Sequence, residues 1–179
     1  MIASDLHGDA ACTELLLTRF RESGAGRLIL LGDLLYHGPR NDLPSGYSPK
    51  KVIELLNPVR ESLLCVRGNC DTEVDQMVLS FPILADYAYL LADGLRIFAT
   101  HGHKFHGANL PPLQKGDILL HGHTHVPAAE RLDNDILYVN PGSVSIPKEN
   151  SPRSYLIYEN KTFIFYDLGG REYRSFQVE

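Results

Sequence analysis

The chain has 179 residues, enough for one domain that buries about 70% of the surface its unfolded form exposes. Apolar residues make up 44%, charged residues 22%, and the net charge is −5. This balance excludes disorder and argues against a protein that coats an extended nucleic-acid duplex or an anionic membrane, since both call for excess Lys and Arg. Cys12, Cys65 and Cys70 are too few and too irregularly spaced for a disulfide framework or a zinc ribbon. The sequence shows neither a signal peptide nor an apolar run of membrane-spanning length, so the expected location is cytoplasmic.

Met1–Ser4 reads as a strand stub, short enough that the natural chain is expected to begin slightly upstream. Ala10–Ser23 reads as a helix ended by Gly24, and Arg27–Leu31 as an apolar strand of the kind buried in a parallel sheet. Ser48-Pro49 opens a second helix through Leu56, because proline suits the first helical position. Leu63–Val66 is the next strand, and Thr72–Leu79 a third helix. Beyond that the pattern changes. Tyr87–Ala92 and Leu95–Thr100 flank Asp93-Gly94, a hairpin signal. Ile118–Leu120, Ala128–Leu132, Ile136–Val139, Tyr155–Tyr158, Thr162–Tyr166 and Tyr173–Gln177 follow as short strands. A parallel beginning and a mostly antiparallel end predict an α/β (α+β) domain of two packed sheets with helices outside, spanning residues 1–179 without a linker.

The polar residues fall at strand ends. Asp5 and His7 follow the first strand, Asp33 the second and Asn69 the third, while His101 and then His123 and His125 end two later ones. In sheets with α/β connections the carboxyl ends of the strands share one rim, where ligands bind. The histidines His7, His37, His101, His103, His106, His121, His123 and His125 all avoid the helices and the C-terminal strands. Seven oxygen and nitrogen donors are too many for one ion and suit two. Imidazole with carboxylate favours manganese, iron, zinc or cobalt over magnesium or calcium. With Asp5 and Asp33 as the only anionic ligands, two divalent ions leave the site about two charges positive, which suits an anion. A carboxylate such as Asp33 can bridge both ions, and such a pair activates water and holds a phosphate across itself.

Asp-x-His, Gly-Asp, Gly-Asn, a glycine-flanked His and Gly-His-x-His, in that order, resemble the calcineurin-like metallophosphoesterase superfamily. His37-Gly-Pro-Arg-Asn41, Gly68-Asn-Cys-Asp71 with Glu73-Val-Asp-Gln-Met77, and Asn140-Pro-Gly-Ser-Val-Ser-Ile-Pro147 are most similar to its small bacterial branch of YfcE-type phosphodiesterases. The resemblance covers Met1 to about Pro147. It implies a four-layer αββα sandwich of two mixed sheets. It also implies Asp5, His7 and His125 on one metal, Asn69, His101 and His123 on the other, and Asp33 between them. Many members of the superfamily carry a His after the Gly-Asn pair that helps protonate the leaving group. This chain has Cys70 there, as the bacterial branch does, and a thiol is a poor general acid for an alkoxide.

The sequence therefore predicts a phosphodiesterase that hydrolyses small phosphodiesters with a hydroxide activated by two divalent ions, most readily manganese. Asp33, Asn69 and His101 are assigned to catalysis. Arg40, His37 and His103 are expected to contact substrate, Arg40 because a guanidinium suits phosphate. His121 is expected to be structural, His106 a solvated loop residue, and Asn140–Ser143 a turn beneath the metals. The resemblance implies self-association. Two rival readings are a phosphomonoesterase on the same metals and a non-catalytic scaffold, which one eukaryotic relative, a retromer subunit, has become.

Overall fold

Strand periodicity sorts the apolar side chains into three layers in the computed structural model, which describes residues 1–178. In chain order the elements are β1 (Ile2–Ala3), α1 (Ala10–Ser23), β2 (Leu28–Leu30), α2 (Pro49–Leu56), β3 (Leu63–Cys65), α3 (Glu73–Val78), β4 (Tyr87–Ala92), β5 (Leu95–Thr100), β6 (Ile118–Leu120), β7 (Ala128–Arg131), β8 (Leu137–Asn140), β9 (Ser154–Glu159), β10 (Thr162–Asp167) and β11 (Glu172–Gln177). One sheet runs β11-β10-β9-β1-β2-β3 and the other β4-β5-β6-β8-β7. Each has three parallel strands, β1, β2 and β3 in the first and β5, β6 and β8 in the second, with antiparallel strands outside them. Both sheets are mixed and helices flank the pair, as the sequence pattern predicts.

Side chains alternate across each strand because the strand period is two. In β2, Leu28 and Leu30 face α1 and α2, meeting Leu16, Leu17, Phe20, Val52 and Leu56. Ile2, Leu31, Ile97, Ala99, Ile118, Leu120, Phe163 and Phe165 fill the layer between the sheets. Phe98 and Leu119 face the other way, onto Phe105, Leu110 and Leu113 of the irregular segment between β5 and β6. That segment, rather than a helix, covers the outer face of the second sheet at this point.

Local signals explain the ends of the helices. The Asp9 carboxylate accepts from the Cys12 amide at the start of α1, and Gly24 ends the helix at φ 68°, in the left-handed region that glycine adopts freely. The Thr72 hydroxyl accepts from the Asp75 amide while the Asp75 carboxylate accepts from the Thr72 amide, a closed capping box on α3. One element went unread in the sequence: α2 continues into a 3₁₀ turn, Asn57–Ser62, before β3. Pro58 gives no hydrophobic period to betray it, and its fixed φ is compatible with a helical start.

Candidate metal centre

The parallel strands of both sheets deliver their carboxyl ends to one rim. Asp5 and His7 leave β1, Asp33 leaves β2, Asn69 leaves β3, His101 leaves β5, and His123 and His125 leave β6. Five of these seven adopt left-handed backbone: Asp5 (φ 59°), His7 (47°), Asp33 (56°), His123 (65°) and His125 (62°). That conformation is uncommon outside glycine and persists only where the surroundings over-determine it, which makes such clusters a mark of functional sites.

The surroundings do over-determine it. Asp71, buried beneath the loops, accepts from the amides of Asp33 (2.8 Å), Leu34 (2.9 Å) and Gly68 (2.8 Å), tying the ends of β2 and β3 together. Burial pushes its carboxyl above the ordinary range, against the pull of those amides. The hydroxyls of Ser143 and Ser145 both donate to the Asp5 carbonyl at 2.9 Å, and the Asn140 amide donates to the Gly122 carbonyl at 2.9 Å. The turn after β8 thus lies under the site as a support. Gly68 has to be glycine because a Cβ there would land on the Asp33 carboxylate.

Hydrogen bonds fix how the imidazoles point. Nδ1 of His7 donates to the Tyr36 carbonyl (2.8 Å), Nδ1 of His101 to the Leu31 carbonyl (2.7 Å) and Nδ1 of His125 to the Ile146 carbonyl (2.6 Å). A carbonyl only accepts, so Nδ1 carries the hydrogen and each neutral ring aims the lone pair of Nε2 inward. There the acceptors crowd. Nε2 of His7 is 3.2 Å from Nε2 of His125, and Nε2 of His101 is 3.1 Å from Nδ1 of His123 and 3.0 Å from Oδ1 of Asn69. Asp5 Oδ1, buried and without a hydrogen-bond donor, is 3.2 Å from Nε2 of His125 and 3.5 Å from Nε2 of His7. Lone pairs this close repel unless positive charge lies among them, so the donor set fits metal cations.

Two subsets are visible. Asp5, His7 and His125 converge as one, and Asn69, His101 and His123 as another. Asp33 lies between them: Oδ2 is 3.7 Å from Nε2 of His7 and 3.5 Å from Nε2 of His101, while Oδ1 accepts from the Cys70 amide at 2.8 Å.

Without metal, protons compete for these positions. Burial alone would raise the Asp5 carboxyl, but the imidazoles of His125 and His7 outweigh it and hold Asp5 well below the carboxylate range. Burial opposes a charge on His101, yet Asp33 and Asp5 raise it to about 9. His123 falls to about 4, through burial and the neighbouring His101. A metal needs the bare Nε2 of His101, so below pH 9 binding must displace a proton. The expected result is that affinity rises by about tenfold per pH unit from this group until about pH 9, then levels. Calorimetric titration of metal-stripped protein, with proton release followed in parallel, checks this. Affinity independent of pH below 9 would contradict the His101 assignment.

The cleft over these residues has a volume of 340 Å³ and is also lined by Gly38–Asn41, Cys70, Thr124 and Lys148. Of the three expected substrate contacts, only Arg40 is in its wall. His37 is instead held edge-on between Tyr36 and Tyr47, with ring centroids 4.8 and 5.3 Å away. His103 lines an adjoining cleft with His106, His121 and Glu130, its ring 5.4 Å from that of His101. His121 stacks on Tyr138 at 4.6 Å, a structural position as expected. His106 is half-exposed in the loop between β5 and β6, where its ring accepts from the Ala108 amide. Sequence reasoning missed Thr124, which sits between His123 and His125, and Lys148, the residue after Asn140–Pro147.

The calcineurin-like phosphoesterase superfamily domain matches residues 1–162. The chain belongs to that superfamily. It is 53% identical over 160 residues to phosphodiesterase YfcE of Escherichia coli K12, covering 89% of this chain and 86% of that protein. The solved structure of the E. coli phosphoesterase superposes at 48% identity with a TM-score of 0.95, covering 100% of this chain and 98% of that one. Vps29 of Entamoeba histolytica, solved with zinc, shares the fold at 17% identity and a TM-score of 0.59, over 99% of this chain and 98% of that one. Membership brings divalent metal ions with it, and the buried Asp and His groups at the strand ends are the candidate ligands. No helix among the described residues is long and apolar enough to cross a membrane.

Proposed function

We propose that the chain is a metal-dependent phosphodiesterase with two divalent ions, manganese by preference, held by Asp5, His7 and His125 on one side and Asn69, His101 and His123 on the other. The observation that carries this is the position of Asp33, whose Oδ2 lies within 3.7 Å of a ligand nitrogen from each subset. When bound, such a pair supplies a water of lowered pKa and positive charge to balance the phosphate.

The chain's own residues do the rest. Asp33 fixes the spacing of the two subsets, while Asp71 and the Gly68 turn hold it there. The carbonyls behind His7, His101 and His125 keep each ring in the tautomer that leaves Nε2 free. Arg40 and Lys148, the cations in the cleft wall, bind non-bridging phosphate oxygens, Arg40 with a fork suited to two of them. Every ligand position is filled, which speaks against a scaffold that has lost its chemistry.

The monoesterase reading is separated by substrate charge. A diester brings one negative charge and a monoester near neutral pH about two. Protein stripped of metal, reloaded with manganese and offered methyl 4-nitrophenyl phosphate and 4-nitrophenyl phosphate should hydrolyse the diester faster. Faster turnover of the monoester would replace this reading with a phosphomonoesterase.

A further inference from the structure

A second groove runs between α2 and α3 and meets the metal cleft at Cys70, which stands in the wall of both. Its volume is 380 Å³ and its character is opposite to that of the cleft. Tyr36 and Tyr47 line one part, Ile53 projects from α2, and Val74 and Val78 from α3. Several of these apolar groups are open to water: Val74 is 69% exposed, Val78 45% and Tyr36 42%. The charged residues lining the groove, Lys50 and Asp75, are opposite in sign and leave no net charge to attract an ion. Apolar side chains left exposed in one continuous depression mark a binding surface.

We infer that this groove receives an aromatic substituent of the phosphodiester whose phosphate occupies the metal cleft. The inference rests on the phosphodiesterase reading and names the class of substrate. Three observations carry it. Cys70 stands in the wall of both, so the groove lies next to the site of the phosphate. A dry cavity of about 150 Å³ already accepts benzene, so the groove has room for a ring and its ester linkage. The two tyrosines favour an aromatic occupant over an aliphatic one. Their rings stand in its wall, held by edge-on packing against His37, and an aromatic pair gains beyond simple area burial.

The test uses phenylphosphonate and methylphosphonate, which share a head group and lack a cleavable ester. In the manganese-loaded enzyme phenylphosphonate should inhibit at least about tenfold more tightly, a difference that burial of one ring can supply. Ile53→Asn and Val74→Asn should each bring the ratio toward one; Val74 is already exposed, so its replacement does not threaten folding. In parallel, metal-stripped protein with labelled Ile and Val methyl groups is titrated with phenol. The signals of Ile53, Val74 and Val78 should shift. Because this readout needs neither metal nor turnover, it stands even if the chain proves not to be a phosphodiesterase. A wild-type ratio near one, or phenol shifts absent from those three residues, overturns the inference. So do concentration-dependent shifts of the same methyls without phenol, which would mean that a second copy of the chain covers the groove.

Discussion

Asp33→Asn should lower kcat by on the order of 10³-fold with manganese saturating, more than the loss of any ligand that serves one metal subset alone. Removing a single stabilising donor from an active site costs about 10²- to 10³-fold, and Asp33 faces both subsets. Asparagine keeps an oxygen for the Cys70 amide but gives up the charge on the oxygen between His7 and His101. It also removes one of the two carboxylates, Asp5 and Asp33, that offset the cations. The comparison set is Asp33→Asn, His125→Ala and His103→Ala, each assayed for turnover and bound metal. His103 lines the adjoining cleft and not the metal cleft, so its replacement should cost least. Near-native turnover in Asp33→Asn beside an inactive His103→Ala would reverse the roles of these two residues.

Leaving-group acidity should control the rate steeply, because Cys70 is where other members of the superfamily carry a proton-donating histidine. Its thiol is buried and accepts a hydrogen bond from the Asn69 amide at 3.2 Å. Burial, reinforced by Asp33 beside it, pushes the thiol's pKa well above its ordinary value. A group so reluctant to release its proton gives little help to a departing alkoxide. Nitrophenyl esters, whose leaving groups need no proton, should therefore react well and alkyl esters poorly. A positioned general acid contributes about 10²- to 10⁴-fold, which sets the size of the gap. Cys70→His should narrow it by accelerating alkyl esters selectively. The measurement is the slope of log rate against leaving-group pKa for both proteins. A shallow slope in the natural sequence would mean that another group already donates the proton.

Much of this molecule is legible in its sequence, for identifiable reasons. Buried parallel strands announce themselves as short apolar runs, so Arg27–Leu31 and Leu63–Val66 could be read directly, and Asp93-Gly94 gave away its hairpin. Donors immediately after those runs, such as Asp33 and Asn69, could then be assigned to one rim from topology alone. Side-chain direction was not legible. His37 and His103 both lie in loops next to the cleft, yet His37 packs between the rings of Tyr36 and Tyr47 and His103 lines the adjoining cleft. Lys148 is the residue immediately after the Asn140–Pro147 segment, yet nothing in that segment shows that its side chain reaches the cleft. The left-handed backbone at Asp5, His7, Asp33, His123 and His125 leaves no trace in composition, because the residues that tolerate it are chosen as ligands. Asp71 was visible as part of a motif, but its three amide partners were not.

We propose that one dinuclear centre, with Asp33 as the carboxylate that would serve both ions, carries the activity. Metal-stripped protein is titrated with manganese while bound metal, by elemental analysis after desalting, and diesterase turnover are followed on the same samples. The natural sequence should hold two ions per chain, with activity reaching its plateau only as the second binds, and Asp33→Asn should retain fewer than two. Full activity with one ion per chain, or two ions held undiminished by Asp33→Asn, would contradict it.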